Sequence, residues 1–197
     1  MTLTRLVLAT ANAGKVREFR RALSGSGLEV LTAGDLGVTR FPEETGGSYA
    51  ANALTKASFV VQATGLPSLG DDSGLEVAAL EGAPGLFSAR FGGLSTDAER
   101  TAYLLEQLRG VPEVGREALF VGVLGFATPA GDAETFGGRC EGRITEGPQG
   151  DNGHGYDPVF YSAELEQTFG EASDEAKAEV SHRARALAAF RAWLEKR

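Results

Sequence analysis

At 197 residues, with 42% hydrophobic and 23% charged positions, the chain is long enough to bury a sizeable core as a single domain, 1–197, with the composition of a soluble globular protein. A net charge of −8 argues against a general nucleic-acid surface, which carries a basic excess, and no apolar run approaches the ~20 residues of a membrane helix. The one cysteine, Cys140, excludes an internal disulfide and fits a reducing cytoplasm; with only two histidines it makes a thiolate–histidine zinc site an unfavoured reading.

In chain order, residues 3–10 form an apolar run of strand length, read as a first strand rather than a signal peptide. The turn Ala11-Asn12-Ala13-Gly14-Lys15 follows, and then Val16, Phe19 and Leu23 recur at helical spacing. Strand, Gly-containing loop and helix start is a layout in which backbone N–H groups hold an anion. It is not a P-loop, because the GxxxxGK[ST] spacing is absent. Lysine at a helix N-terminus opposes the helix dipole, so Lys15 points to an anion nearby. Residues 28–32 read as a second strand, and residues 41–47 as a loop carrying Glu43 and Glu44. A helix is expected from Ser48 to Thr64 with Gly65 as its stop, placing Asn52 and Lys56 one turn apart on one face.

The stretch 70–93 opens with Asp71 and Asp72, directly after the short apolar run 66–69. Ser73 and Gly74 come next, so the pattern predicts that the strand ends at the two acids and the backbone turns sharply. Alternation sends the two carboxylates to opposite sides, one into a site and the other bracing the turn. Further on, Thr96 and Glu99 form a capping box for a helix ending near Arg109. Residues 118–127 are a strongly apolar strand, TPAG a turn and 134–140 the returning strand of an antiparallel hairpin. The glycine-rich segment 146–155 leads into Tyr156-Asp157-Pro158, a pattern that suits a base-binding loop or a connector. Two helical pieces close the chain. One carries Lys177, and the other starts after Ser181 with His182 and Arg183 in its first turn and Leu187, Phe190 and Leu194 along one side.

Lysine occurs only four times, against 15 arginines, and Lys15, Lys56 and Lys177 are its three internal positions away from the C-terminus. A compact ammonium suits a point contact to phosphate, and carboxylates such as Glu44 and Asp72 suit Mg²⁺, which takes one or two of them plus phosphate oxygens. No Ser-His-Asp arrangement or GxGxxG motif competes. The residues therefore describe a phosphate-handling, metal-assisted α/β enzyme.

The segments LATANAGK, EETG followed by NALTKA, DDSGLEV with GAPGLFSAR, GYDPVF and SHRARAL run in this order from Leu8 to Leu187. Together they resemble the inosine/xanthosine triphosphate pyrophosphatases, which remove non-standard purine nucleotides from the nucleotide pool. The resemblance implies an elongated two-lobed α/β fold around a long mixed β-sheet flanked by helices, a nucleotide cleft between the lobes and a homodimer. It implies cleavage of ITP, dITP or XTP to the monophosphate and pyrophosphate. By position, Thr10, Ala11, Asn12, Ala13, Gly14 and Lys15 would line the phosphate pocket. Asp72 would be the catalytic carboxylate, activating water and touching Mg²⁺, with Glu44 as second metal ligand. Lys56 would hold phosphate and Ser73 would contact the nucleotide. Tyr156 and Asp157, with His154 and Gly155 before them, would shape the base pocket, and Lys177, His182 and Arg183 would contact base or sugar-phosphate. Two positions depart from the pattern: His154 stands where many relatives have a stacking aromatic residue, and the first loop reads TAN where TGN is common.

Overall fold

The structure, a computed structural model, describes residues 3–196. Seven strands form one mixed sheet in the order β2-β1-β3-β4-β5-β6-β7. The elements are β1 (Arg5–Ala9), α1 (Ala13–Ala22), β2 (Glu29–Thr32), α2 (Tyr49–Thr64), β3 (Ser68–Val77), α3 (Asp97–Gln107), β4 (Glu117–Ala127), β5 (Ala133–Ile144), β6 (Phe160–Ser162), β7 (Gln167–Thr168), α4 (Asp174–Val180) and α5 (His182–Leu194). β1 pairs in parallel with β2 and with β3, whereas β5, β6 and β7 pair antiparallel. The expected α/β class with a mixed sheet is what the chain adopts.

The helix signals in the sequence act as physical chemistry requires. Ser48 caps α2 by accepting from Ala51 N, and Gly65 ends it in the left-handed region at φ 66°, where a Cβ would be strained. Thr96 and Glu99 close the capping box on α3. Asn12 caps α1, its side chain accepting from Lys15 N.

One expectation fails. The chain does not turn at Asp71–Gly74, because β3 runs unbroken through all four residues. The apolar pattern resumes at Leu75 and Val77, both fully buried, and that core burial outweighs the turn preference of Asp, Ser and Gly. The pairing of β3 with β1 stops at Ala9↔Gly70. Asp71 and Asp72 thus continue past the end of a parallel neighbour, while the strand itself goes on.

The chain divides into two compact units. The first contains residues 1–72, 122–138 and 183–197, and the second contains residues 73–121 and 139–182; β3, β4 and β5 each supply residues to both. In the first unit, Leu6, Leu8, Phe19, Leu69, Leu124, Leu187 and Phe190 form one core cluster, and Val7, Ala9, Ala33 and Val60 form a smaller one. Phe190 and Trp193 of α5 pack edge-on against Phe136, which ties α5 to the strands of this unit. In the second unit the core joins Leu75, Val77, Leu104, Leu108, Ile144, Phe160 and Phe169. Arg116 is buried there and donates to the carbonyls of Val111, Thr145 and Leu108.

α2 is seated unusually close to the sheet of the first unit. Its buried face is Asn52, Ala53, Lys56, Ala57 and Val60, small residues where contact is tightest. A Cβ on Gly70 would come within 2.2 Å of the Ala53 carbonyl oxygen, and one on Gly125 within 2.5 Å of Leu54 N. Both obstacles are backbone, so the helix would have to move. Gly70→Ala is expected to cost about 3 kcal/mol, the upper range for overpacking, and to displace Asn52 and Lys56. Chemical denaturation checks the first effect and turnover the second; wild-type stability in this variant would contradict the close seating.

Candidate active site

Seated on Gly70 and Gly125, α2 aims two polar side chains at β3. Asn52 Nδ2 donates to Asp72 Oδ2 at 2.8 Å, while Asn52 Oδ1 accepts from Gly46 N at 2.8 Å, so one amide links the 41–47 loop to the strand. Lys56, one turn on, donates to Glu44 Oε1 at 2.7 Å and lies 3.6 Å from Asp72 Oδ1. Asn52, Lys56 and Asp72 are all buried. Burial raises the Asp72 carboxyl above the ordinary carboxylate range and the Glu44 charge adds to the rise, against the opposing pull of Lys56 and the Asn52 hydrogen bond. A buried carboxylate poised upward beside an ammonium has the character of a general base.

Alternation along β3 sends Asp71 to a different set of partners, as expected. Asp71 Oδ2 lies 2.5 Å from Lys15 Nζ, and Oδ1 accepts from Arg183 Nε at 3.1 Å. Arg183 also binds Glu18 of α1. Burial alone would raise the Asp71 carboxyl, but Arg183 and Lys15 outweigh it and hold it far below the usual range. The anion that Lys15 announced is therefore, in this structure, the protein's own Asp71. Asp71 braces an ion network and not a turn, since β3 does not turn. Next to it, Ala11, Asn12 and Ala13 are exposed at the start of α1, and Thr10 Oγ1 accepts from Asn12 N.

Glu44 and Asp72 both lie beside Lys56, two carboxylates that could hold a metal. Among the described residues there is no group of three or more His, Cys, Asp or Glu that could hold an ion alone. That donor set fits Mg²⁺, which binds through one or two carboxylates and completes its shell with water and phosphate oxygens. The like-charge strain that Glu44 imposes on Asp72 is what a cation would relieve.

In the second unit the segment 154–157 is held residue by residue. Asp157, buried, accepts from His154 N at 2.7 Å and from Lys177 Nζ at 2.7 Å, and His154 Nδ1 lies 3.8 Å away. Tyr156 is also buried, its hydroxyl donating to the Ser88 carbonyl at 2.9 Å. His154 and Gly155 are partly exposed, so His154 is the side chain of this segment open to a ligand. His182 stacks on Phe120 with ring centroids 4.9 Å apart. Ser73 is partly exposed directly after Asp72.

The residues singled out in the sequence thus fall into two sets. Thr10–Lys15, Glu44, Lys56, Asp72 and Arg183 belong to the first unit, whereas Ser73, His154–Asp157, Lys177 and His182 belong to the second. Asn52 was visible only as a companion of Lys56 on a helix face; its hydrogen bond to Asp72 is new. Glu18 was missed, although its place three residues after Lys15 on α1 was a usable signal.

The family model described as the Ham1 family matches residues 6–193. The chain belongs to the Ham1 family. Among its relatives, a "dITP/XTP pyrophosphatase" of Thermus thermophilus is 51% identical over 94% of this chain and 89% of its own length. A protein of the same name from Deinococcus radiodurans is 47% identical over 95% of this chain and 92% of its own. Among solved structures, a HAM1 protein from Coxiella burnetii superposes with a TM-score of 0.89 at 36% identity, covering 99% of this chain and all of that one. The Ham1 protein of Staphylococcus aureus gives 0.87 at 35% identity over 98% of this chain. No helix among the described residues is long and apolar enough to cross a membrane.

Proposed function

We propose that this Ham1 chain is a single nucleoside triphosphate pyrophosphatase domain, 1–197, that hydrolyses ITP, dITP and XTP to the monophosphate and pyrophosphate, clearing them from the nucleotide pool. The observation that carries the reading is the buried Asp72 carboxylate, raised in pKa and held by Asn52 and Lys56 beside Glu44. Water adds to the α-phosphorus, its proton passes to the Asp72 carboxylate, and pyrophosphate leaves with the electron pair of the α–β bridge bond. Asp72 and Glu44 would hold Mg²⁺, which when bound supplies charge neutralisation and polarises phosphate oxygens. Lys56 offsets further phosphate charge, and the start of α1, exposed at Ala11, Asn12 and Ala13, offers backbone donors to the rest. Lys15 stands there too, shared with Asp71.

Ser73 contacts the nucleotide, and His154, Gly155, Tyr156 and Asp157 form the base end. His154 supplies a stacking face, while Tyr156 and Asp157 act by shaping the segment. Lys177 and His182 contact base or sugar-phosphate; Arg183, engaged by Asp71 and Glu18, acts at the same end of α5. A 6-oxo purine accepts where adenine donates, so a donor site rejects adenine. The protein works as a cytoplasmic homodimer, a reading supported by the single, buried cysteine Cys140 and by Phe87, which is 59% exposed in the segment after Pro84.

Product analysis tests the whole. With Mg²⁺, dITP and XTP should yield monophosphate and pyrophosphate, dATP and dGTP should yield little, and a chelator should stop the reaction. Orthophosphate with a nucleoside diphosphate would move the attack to another phosphorus and sink the mechanism.

A further inference from the structure

α3 was read from the sequence only as a capped helix, yet its first turns grip the base segment. Asp97, the first residue of α3, accepts from Gly155 N through Oδ2 at 2.8 Å. Thr101, one turn later, donates from Oγ1 to the Gly155 carbonyl at 3.3 Å. Both backbone polar groups of one residue are thus satisfied by one helix face, since positions four apart lie above one another. The other Asp97 oxygen is paired with Arg100, whose guanidinium also donates to the Leu94 carbonyl at 3.1 Å, so the carboxylate is itself oriented. The helix does not need Asp97 for its cap, because Thr96 and Glu99 already provide it.

What is gripped matters. Gly155 sits at φ 64° at the end of a segment that also contains Gly147, Gly150 and Gly153, and such a stretch loses much entropy when ordered. Its neighbours are His154 and Tyr156. We propose that Asp97 and Thr101 are positioning residues that pre-order the His154–Asp157 segment for the base, so that binding does not bear the cost of ordering it. The inference rests on the proposed function for the identity of the ligand, and on the hydrogen bonds alone for the clamp.

The clamp acts on the base end and not on the reacting phosphorus. Asp97→Ala and Thr101→Val should therefore each raise KM for dITP by about tenfold, with kcat within about twofold and weaker discrimination against dGTP. Glu99→Ala is the control: it breaks the capping box and weakens α3 but leaves both Gly155 contacts, so its KM should stay at the wild-type value. Amide exchange in the nucleotide-free protein gives a readout independent of catalysis, with Gly155 protected in the wild type and in Glu99→Ala and deprotected in Asp97→Ala. Two results overturn the proposal: a KM for Asp97→Ala no higher than that for Glu99→Ala, or lost protection with unchanged KM. A wild-type protein that fails to turn over dITP would instead overturn the proposed function, and that is established before any variant is made.

Discussion

Asp72→Asn is expected to lower kcat for dITP by about 10²–10⁴-fold, the range that a positioned general base supplies, with little change in stability. The substitution preserves shape, and the new amide can turn its oxygen toward Asn52 Nδ2, so the link to α2 persists. Burial disfavours the charged form of the Asp72 carboxyl, a penalty that a neutral amide does not bear. The pH dependence carries the same signature. Because burial and Glu44 raise the Asp72 carboxyl, the acidic limb of kcat/KM should lie above the ordinary carboxylate value of 3.8 and fall as pH drops through it. The Asn variant should lose that limb. A variant within threefold of wild type, or one with the limb intact, would remove Asp72 from the chemistry.

Arg183→Met is expected to cost about 3–5 kcal/mol of folding free energy, the usual result of removing one partner of a buried ion pair. Arg183 is 2% exposed and Asp71 is also 2% exposed, so neither charge has solvent to fall back on. Asp71 would keep Lys15 but lose the guanidinium, and Glu18 would lose its ion pair with Arg183. Adding Asp71→Leu should restore much of the loss, because two apolar groups replace two charges. The sign of the acid response follows from the depressed Asp71 carboxyl. Its stabilisation is present above the ordinary value of 3.8 and is lost as pH falls toward the lowered native pKa. Urea titrations at pH 7 and in this acid range measure both effects. Equal acid sensitivity in the wild type and Arg183→Met would deny the network its role.

Local signals with a mechanism were legible in the sequence. Ser48 and Gly65 bracket α2 within a residue of where they were expected, and Thr96 with Glu99 starts α3. The opposite sides of Asp71 and Asp72 also followed from alternation alone. The strand continuing past Gly74 was not legible, because it is decided by core burial of Leu75 and Val77, and turn-forming composition says nothing of that. The Lys15–Asp71–Arg183–Glu18 network was legible only as loose cations near acids, since Arg183 and Asp71 lie 112 positions apart. Gly155 and Asp97 are separated by 58. Sequence spacing reports neighbours on one element; partners brought together by tertiary packing leave no periodic trace.

The first unit is assembled from residues at both extremes of the chain. During synthesis, α1, α2 and the strand bearing Asp71 are made before α5. At ~5–20 residues per second, the 112 positions between Asp71 and Arg183 take roughly 5–20 s to translate. For that interval Leu6, Leu8 and Phe19 have no Leu187 or Phe190 to pack against, and Asp71 has no guanidinium. The first unit therefore stays incompletely packed during synthesis until α5 arrives to complete its core.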